Sequence, residues 1–131
     1  TDESNKINVI SVMTSLFEKN EIENLNNVKV VVDNQENAIY FSRHPIPFIR
    51  DHSTVDFYKH VGVYAFRKSF LMKFSKYKIG PLEKAEKIEA LRMLENGIDI
   101  KMIKSTENFV GVDTIEDLEK ARRIYNEKNI I

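Results

Sequence analysis

Apolar residues along the chain alternate between two spacings, one of strands and one of helices. Ile7 to Met13 carries the β-branched enrichment of a strand, while Leu16 to Asn24 is more polar and reads as a short helix or loop. Val28-Lys29-Val30-Val31-Val32 and Ala38-Ile39-Tyr40-Phe41 flank Asp33-Asn34-Gln35-Glu36-Asn37, whose Asn and Asp side chains tolerate left-handed backbone. That arrangement predicts a β-hairpin with a longer loop. In His60 to Phe66 a period of two puts Val61, Val63 and Ala65 on one face and His60, Gly62, Tyr64 and Phe66 on the other. His60 and Tyr64 are therefore expected to point the same way.

Helical spacing takes over downstream. Lys68 to Tyr77 fits a short helix, and Gly80-Pro81 punctuates. Leu82, Ala85, Ile88, Leu91 and Leu94 then recur as one stripe until Asn96-Gly97 stops the run, which predicts a single continuous helix. Ile98 to Ile103 returns to alternation, and Thr114-Ile115-Glu116-Asp117 resembles a capping box opening a last helix to about Asn126. Strands interspersed with helices predict an α/β fold, with a mixed sheet because its first hairpin is antiparallel. No internal repeat or low-complexity tract interrupts it.

Between the hairpin and the His60 strand, periodicity disappears from Arg43 to Lys59. Pro45 and Pro47 impose extended backbone around Ile46 and remove two donors. A long loop inside a compact domain is commonly a binding loop, and this one carries Arg43, His44, Arg50, Asp51, His52 and Asp56. Its two arginines could grip a carboxylate or phosphate in parallel hydrogen bonds, or simply be surface charges.

Composition narrows the setting. At 131 residues and 42% hydrophobic content the chain can bury one core, as one domain or part of one. Twenty basic and twenty acidic side chains cancel, so no net field favours nucleic acid or an anionic membrane surface. The absence of cysteine excludes a disulfide framework and a thiolate metal site, and fits a reducing compartment. No apolar run approaches the roughly 20 residues of a membrane helix, and no signal-peptide pattern opens the chain, so a cytoplasmic protein is expected. The opening Thr1-Asp2-Glu3-Ser4, without a methionine and directly before a strand-like segment, is what an excised or processed piece would show.

Candidate chemistry read from residues alone stays open. The three histidines, His44, His52 and His60, match no zinc-site spacing. Asp113 before the capping box suits either a helix cap or a ligand. Glu83, Glu86 and Glu89 step by three, with Lys87 and Arg92 placed to pair with Glu83 and Glu89, as on a solvated helix face. There is no glycine-rich phosphate loop, no Walker lysine and no Gly-x-Ser-x-Gly elbow.

Several ordered strings add a further reading. Tyr40-Phe41-Ser42-Arg43-His44-Pro45-Ile46-Pro47 through Arg50, His60-Val61-Gly62-Val63-Tyr64, Pro81-Leu82-Glu83 with Glu89-Ala90-Leu91-Arg92, Glu95-Asn96-Gly97 and Gly111-Val112-Asp113-Thr114 resemble the 3-deoxy-manno-octulosonate cytidylyltransferase family. The resemblance implies a Rossmann-like nucleotidyltransferase fold, with residues 1–131 as its C-terminal, sugar-acid-binding and dimerisation part and the CTP-binding half absent. It implies CMP transfer from CTP to the sugar acid for lipopolysaccharide precursors, with Mg2+ and a homodimer. By motif, Asp113 would ligate magnesium, while Arg43, Arg50, His60, Tyr64 and Glu89 would line the sugar-acid pocket. Ala90 stands where that family usually has glutamine, losing an amide that could bond sugar hydroxyls. A sialic acid or modified octulosonate enzyme, or a non-catalytic binding or dimerisation piece, are the alternatives.

Overall fold

The computed structural model describes residues 7–51 and 54–106, together with 115, 116, 118, 119, 122 and 123. The elements are β1 (Val9–Leu16), α1 (Lys19–Glu23), β2 (Lys29–Val32), β3 (Ala38–Ser42), β4 (Phe57–Phe66), α2 (Lys68–Phe74), α3 (Pro81–Glu86), α4 (Ala90–Glu95) and β5 (Lys101–Ser105). They form a five-stranded sheet in the order β3-β2-β4-β1-β5. β2 pairs antiparallel with β3 and β4, β1 pairs antiparallel with β4, and β5 runs parallel to β1. The mixed α/β sheet expected from the alternation is thus present.

The hairpin β2–β3 lies where the β-branched runs flank the Asp33–Asn37 turn. Asp33 Oδ1 accepts from the backbone N–H of Gln35 and of Asn37, which fixes the turn locally. β1 runs on to Leu16 although Thr14 and Ser15 have little apolar pull, because β4 pairs with it down to Leu16↔Phe57. A long-range partner sets that end.

A bulge in the β1–β4 ladder controls what β4 presents. Ser11 pairs with Tyr64 and Val12 with Val61, so Gly62 and Val63 are extra on β4. Two extra residues preserve the alternation across the bulge. His60 and Tyr64 share a face, their ring centroids 5.5 Å apart. Stacked rings continue from Tyr64 to Phe66 and on to Phe70 and Phe74 of α2, which fastens that helix over the sheet. The core beneath includes Val9, Met13, Val30, Phe41, Leu91, Met93, Ile100 and Met102.

The single helix expected over Leu82 to Leu94 is two helices. Lys87 takes a left-handed conformation (φ 59°, ψ 44°), its N–H bonding to Glu83 O at 2.7 Å, and α4 starts afresh at Ala90. The loop arginine explains why the break is stable: Arg43 Nε donates to Glu86 O at 2.7 Å and Nη2 to Lys87 O at 3.0 Å. Those carbonyls lose helix partners and gain a cation. The break also rotates the buried stripe. Ile88, Ala90, Leu91 and Met93 face the core, Leu82 and Ala85 are exposed, and Glu83 is buried. Of the glutamate ladder, Glu83 leaves the solvated face, Glu86 is half-buried and Glu89 stays exposed.

Candidate functional site

The region around the α3–α4 break is assembled by charges that the strands carry inward. Glu86 Oε1 accepts from Ser42 Oγ and from the Arg43 backbone N–H, both at 3.0 Å, which joins the end of β3 to α3. The Arg43 guanidinium reaches past it to the two break carbonyls and to Leu25 O at 3.3 Å. Lys29, fully buried inside the valine run of β2, donates to Asn24 O, Asn27 O and Arg43 O at 2.7, 2.7 and 2.6 Å. Burial and then the nearby Arg43 charge lower its pKa, and three carbonyls hold the ammonium in place.

On the sheet face, His60 is buried between Phe41 and Tyr64, with ring centroids at 4.7 and 5.5 Å. Burial lowers its pKa to about 4, so the imidazole is neutral at pH 7. Tyr64 is pushed well above the ordinary phenol range by burial and then by the negative charge of Glu89. It remains a hydroxyl donor at neutral pH. The same Glu89 adds to the forces raising the Arg92 pKa, after the hydrogen bond that Arg92 donates to Glu83.

A shallow pocket of about 720 Å³ is lined by Ile79, Glu83, Lys84, Lys87, Glu89 and Arg92, without His60 or Tyr64. Arg92 binds both oxygens of Glu83 at 2.7 Å, so these two charges cancel. Lys84 and Lys87 then outnumber Glu89, and the pocket leans positive, which suits an anionic ligand.

His60, Tyr64 and Glu89 are thus brought together, with Arg43 anchored at the break that precedes Glu89. Arg50 stands exposed on the loop that follows β3. His52 and Asp113 lie outside the described residues, as do Thr114 and Asp117 of the capping box. Among the described residues no group of three or more His, Cys, Asp or Glu could hold a metal ion. Ala90 is fully buried in the core and offers nothing polar to the pocket. Ser11, Lys29 and Glu86 escaped sequence reasoning. For Ser11 and Lys29 the signal was a polar side chain inside an apolar strand run.

The neutral, buried His60 predicts a pH dependence of stability. Its folded pKa lies below the unfolded value of 6.5, so the unfolded chain binds the extra proton between those values. Stability is fully present above about pH 6.5 and falls by roughly 3 kcal/mol as pH drops through the folded pKa. Urea unfolding at pH 7 and 4.5, compared with His60→Gln, checks this: the variant should lose distinctly less on acidification.

Comparisons with known proteins identify the family of the chain. A family model described as cytidylyltransferase matches residues 1–130. The 3-deoxy-manno-octulosonate cytidylyltransferase of Christiangramia forsetii is 51% identical over 120 residues, 91% of this chain and 48% of the relative. That of Fusobacterium nucleatum is 41% identical over 128 residues, 98% of this chain and 52% of the relative. The solved structure of a CMP:2-keto-3-deoxy-manno-octonic acid synthetase complexed with CTP superposes with a TM-score of 0.85 at 34% identity, covering 93% of this chain and 50% of that one. The chain spans about half the length of the curated relatives it matches. With a family match over nearly its whole length and a mixed sheet that superposes on a synthetase, the chain belongs to the cytidylyltransferases.

Proposed function

We propose that the complete protein containing this chain transfers CMP from CTP to 3-deoxy-manno-octulosonate and releases pyrophosphate, and that this chain forms the C-terminal, sugar-acid side of its site. The observation that carries the reading is the 51% identity, over 91% of the chain, to a 3-deoxy-manno-octulosonate cytidylyltransferase. The anomeric hydroxyl of the sugar acid attacks the α-phosphorus of CTP. Such a step depends on in-line positioning and on cancelling negative charge.

The chain's own residues suit the positioning half of that task. Tyr64 keeps its proton and donates, Glu89 accepts from sugar hydroxyls, and His60 is neutral beside them. Arg43 and Arg50 supply positive charge for the sugar carboxylate, Arg50 from the exposed loop and Arg43 with three of its donors already on chain carbonyls. Magnesium, a hard cation taking oxygen ligands, would be held partly by Asp113 and would neutralise phosphate charge. Among the described residues no cluster of carboxylates could hold it, and Asp113 lies outside them. The reading includes a cytoplasmic homodimer that serves lipopolysaccharide precursor synthesis.

Pyrophosphate release from CTP, magnesium and 3-deoxy-manno-octulosonate tests it, using this chain alone and the complete protein. Only the complete protein is expected to turn over, and Asp113→Asn should lower its rate at least about 100-fold. Silence of a folded complete protein with this sugar acid, and activity with a modified octulosonate or a sialic acid, would move the substrate; buried Ala90, with no polar contact to offer, is the feature that favours that outcome.

A further inference from the structure

Ser11 lies on β1, fully buried, where the β1–β4 ladder skips two residues of β4. Its Oγ lies 2.9 Å from His60 Nε2, 2.9 Å from Val63 O and 3.3 Å from Val61 O. Both carbonyls come from the bulged stretch and can only accept. A serine hydroxyl has one proton to give, and a buried one has no water to share the task. That proton goes to Val63 O, the nearer carbonyl. Were it aimed at His60 instead, the oxygen's lone pairs would face two carbonyl oxygens. The contact with the ring must then be donated by His60 Nε2–H.

This settles which nitrogen of a neutral imidazole is left with its lone pair. Burial keeps His60 neutral at pH 7, so Nδ1 is unprotonated. Among the described residues nothing bonds to Nδ1, yet no buried side-chain nitrogen or oxygen lacks a partner, so Nδ1 keeps contact with solvent. Phe41 and Tyr64 hold the ring plane between them. The result is a fixed acceptor beside a phenol donor.

We propose that Ser11, braced by the Val63 carbonyl of the β4 bulge, is a positioning residue that holds His60 as the Nε2–H tautomer and presents Nδ1 as the acceptor for one hydroxyl of the bound sugar acid. The role rests on the proposed function for the identity of the ligand, but not for the tautomer. Only a group with a hydrogen to donate is favoured opposite Nδ1, so the site would reject a sugar acid whose hydroxyl there is replaced by an ether or a carbonyl.

Two readouts test it in the complete protein. Long-range proton–nitrogen NMR on isotope-labelled protein at neutral pH, with His60→Gln to assign the signals, should show Nε2 protonated and Nδ1 not. Ser11→Ala should give averaged shifts of two tautomers and raise the KM for the sugar acid roughly tenfold, with kcat within about twofold. Ser11→Thr, which keeps a hydroxyl, should restore the single tautomer and the KM. A wild-type Nδ1–H tautomer overturns the proposal, as does a Ser11→Ala protein in which only one of tautomer and KM moves. A protein that shows the Nε2–H signature but no turnover with CTP and octulosonate would remove the sugar-acid role and leave only the histidine–serine bond.

Discussion

Replacing Lys29 with methionine is expected to lower the unfolding free energy by about 3 kcal/mol, although it puts an apolar side chain of similar length into a fully buried position. The reason is the carbonyls left behind. Lys29 Nζ is bonded to Asn24 O, Asn27 O and Arg43 O. Each loses a side-chain donor, at a cost of about 1 to 3 kcal/mol when water cannot replace it. Asn24 is exposed and its carbonyl rehydrates, which keeps the sum near the lower end. Arg43 shares the work from the other side, donating to Leu25 O and to the two carbonyls at the helix break. Burial first and the Arg43 charge second lower the pKa of Lys29, and the two cations are tolerated because three donors of each meet carbonyl oxygens. Urea titrations of Lys29→Met, Arg43→Ala and the double variant should therefore show a coupling energy above about 0.5 kcal/mol. A loss under about 1 kcal/mol for Lys29→Met would mean that the ammonium does not hold this junction. Because Arg43 O is one of the three acceptors, the same variant should also, on the function proposed above, weaken sugar-acid binding in the complete protein.

What could be read from the sequence follows how local each feature is. The β2–β3 hairpin was legible because β-branched runs and an Asx-rich turn agree within a few residues. The shared face of His60 and Tyr64 was legible because a two-residue bulge leaves a period of two intact. The far end of β1 was not, since its pairing with β4 comes from some 40 residues away in sequence, as in Leu16↔Phe57. Nor was the break at Lys87: its neighbours keep helical spacing, and the left-handed residue is stabilised by an arginine from another loop. The same distance hid the partner of Arg92. Helical spacing pointed to Glu89, whereas the break swings Glu83 into the bond, nine residues away. Arg43 illustrates a limit of residue type. A loop arginine suggests an anion grip, and only the fold shows that three of its donors already sit on carbonyls.

That rearranged pair yields the second large effect. Glu83→Ala should destabilise the protein by about 3 kcal/mol, because it leaves the largely buried Arg92 guanidinium without its two 2.7 Å bonds. Arg92→Met should cost a similar amount by stranding Glu83 and by removing the cation from above the Phe74 ring, 5.2 Å from its centroid. The double variant Glu83→Leu/Arg92→Met should lose much less than the sum, since a buried ion pair replaced whole by apolar groups leaves no charge uncompensated. Additive losses in urea unfolding would show that the two residues act separately. The pair also bears on the pocket. An Arg92 freed from Glu83 has a second carboxylate at hand in Glu89, whose charge already acts on both Arg92 and Tyr64. On the function proposed above, engaging it would take an acceptor away from the sugar hydroxyls, so Glu83→Ala should raise the KM for the sugar acid in the complete protein. The double variant, lacking the competing guanidinium, should recover much of it, an outcome that a simple loss of folded protein could not produce.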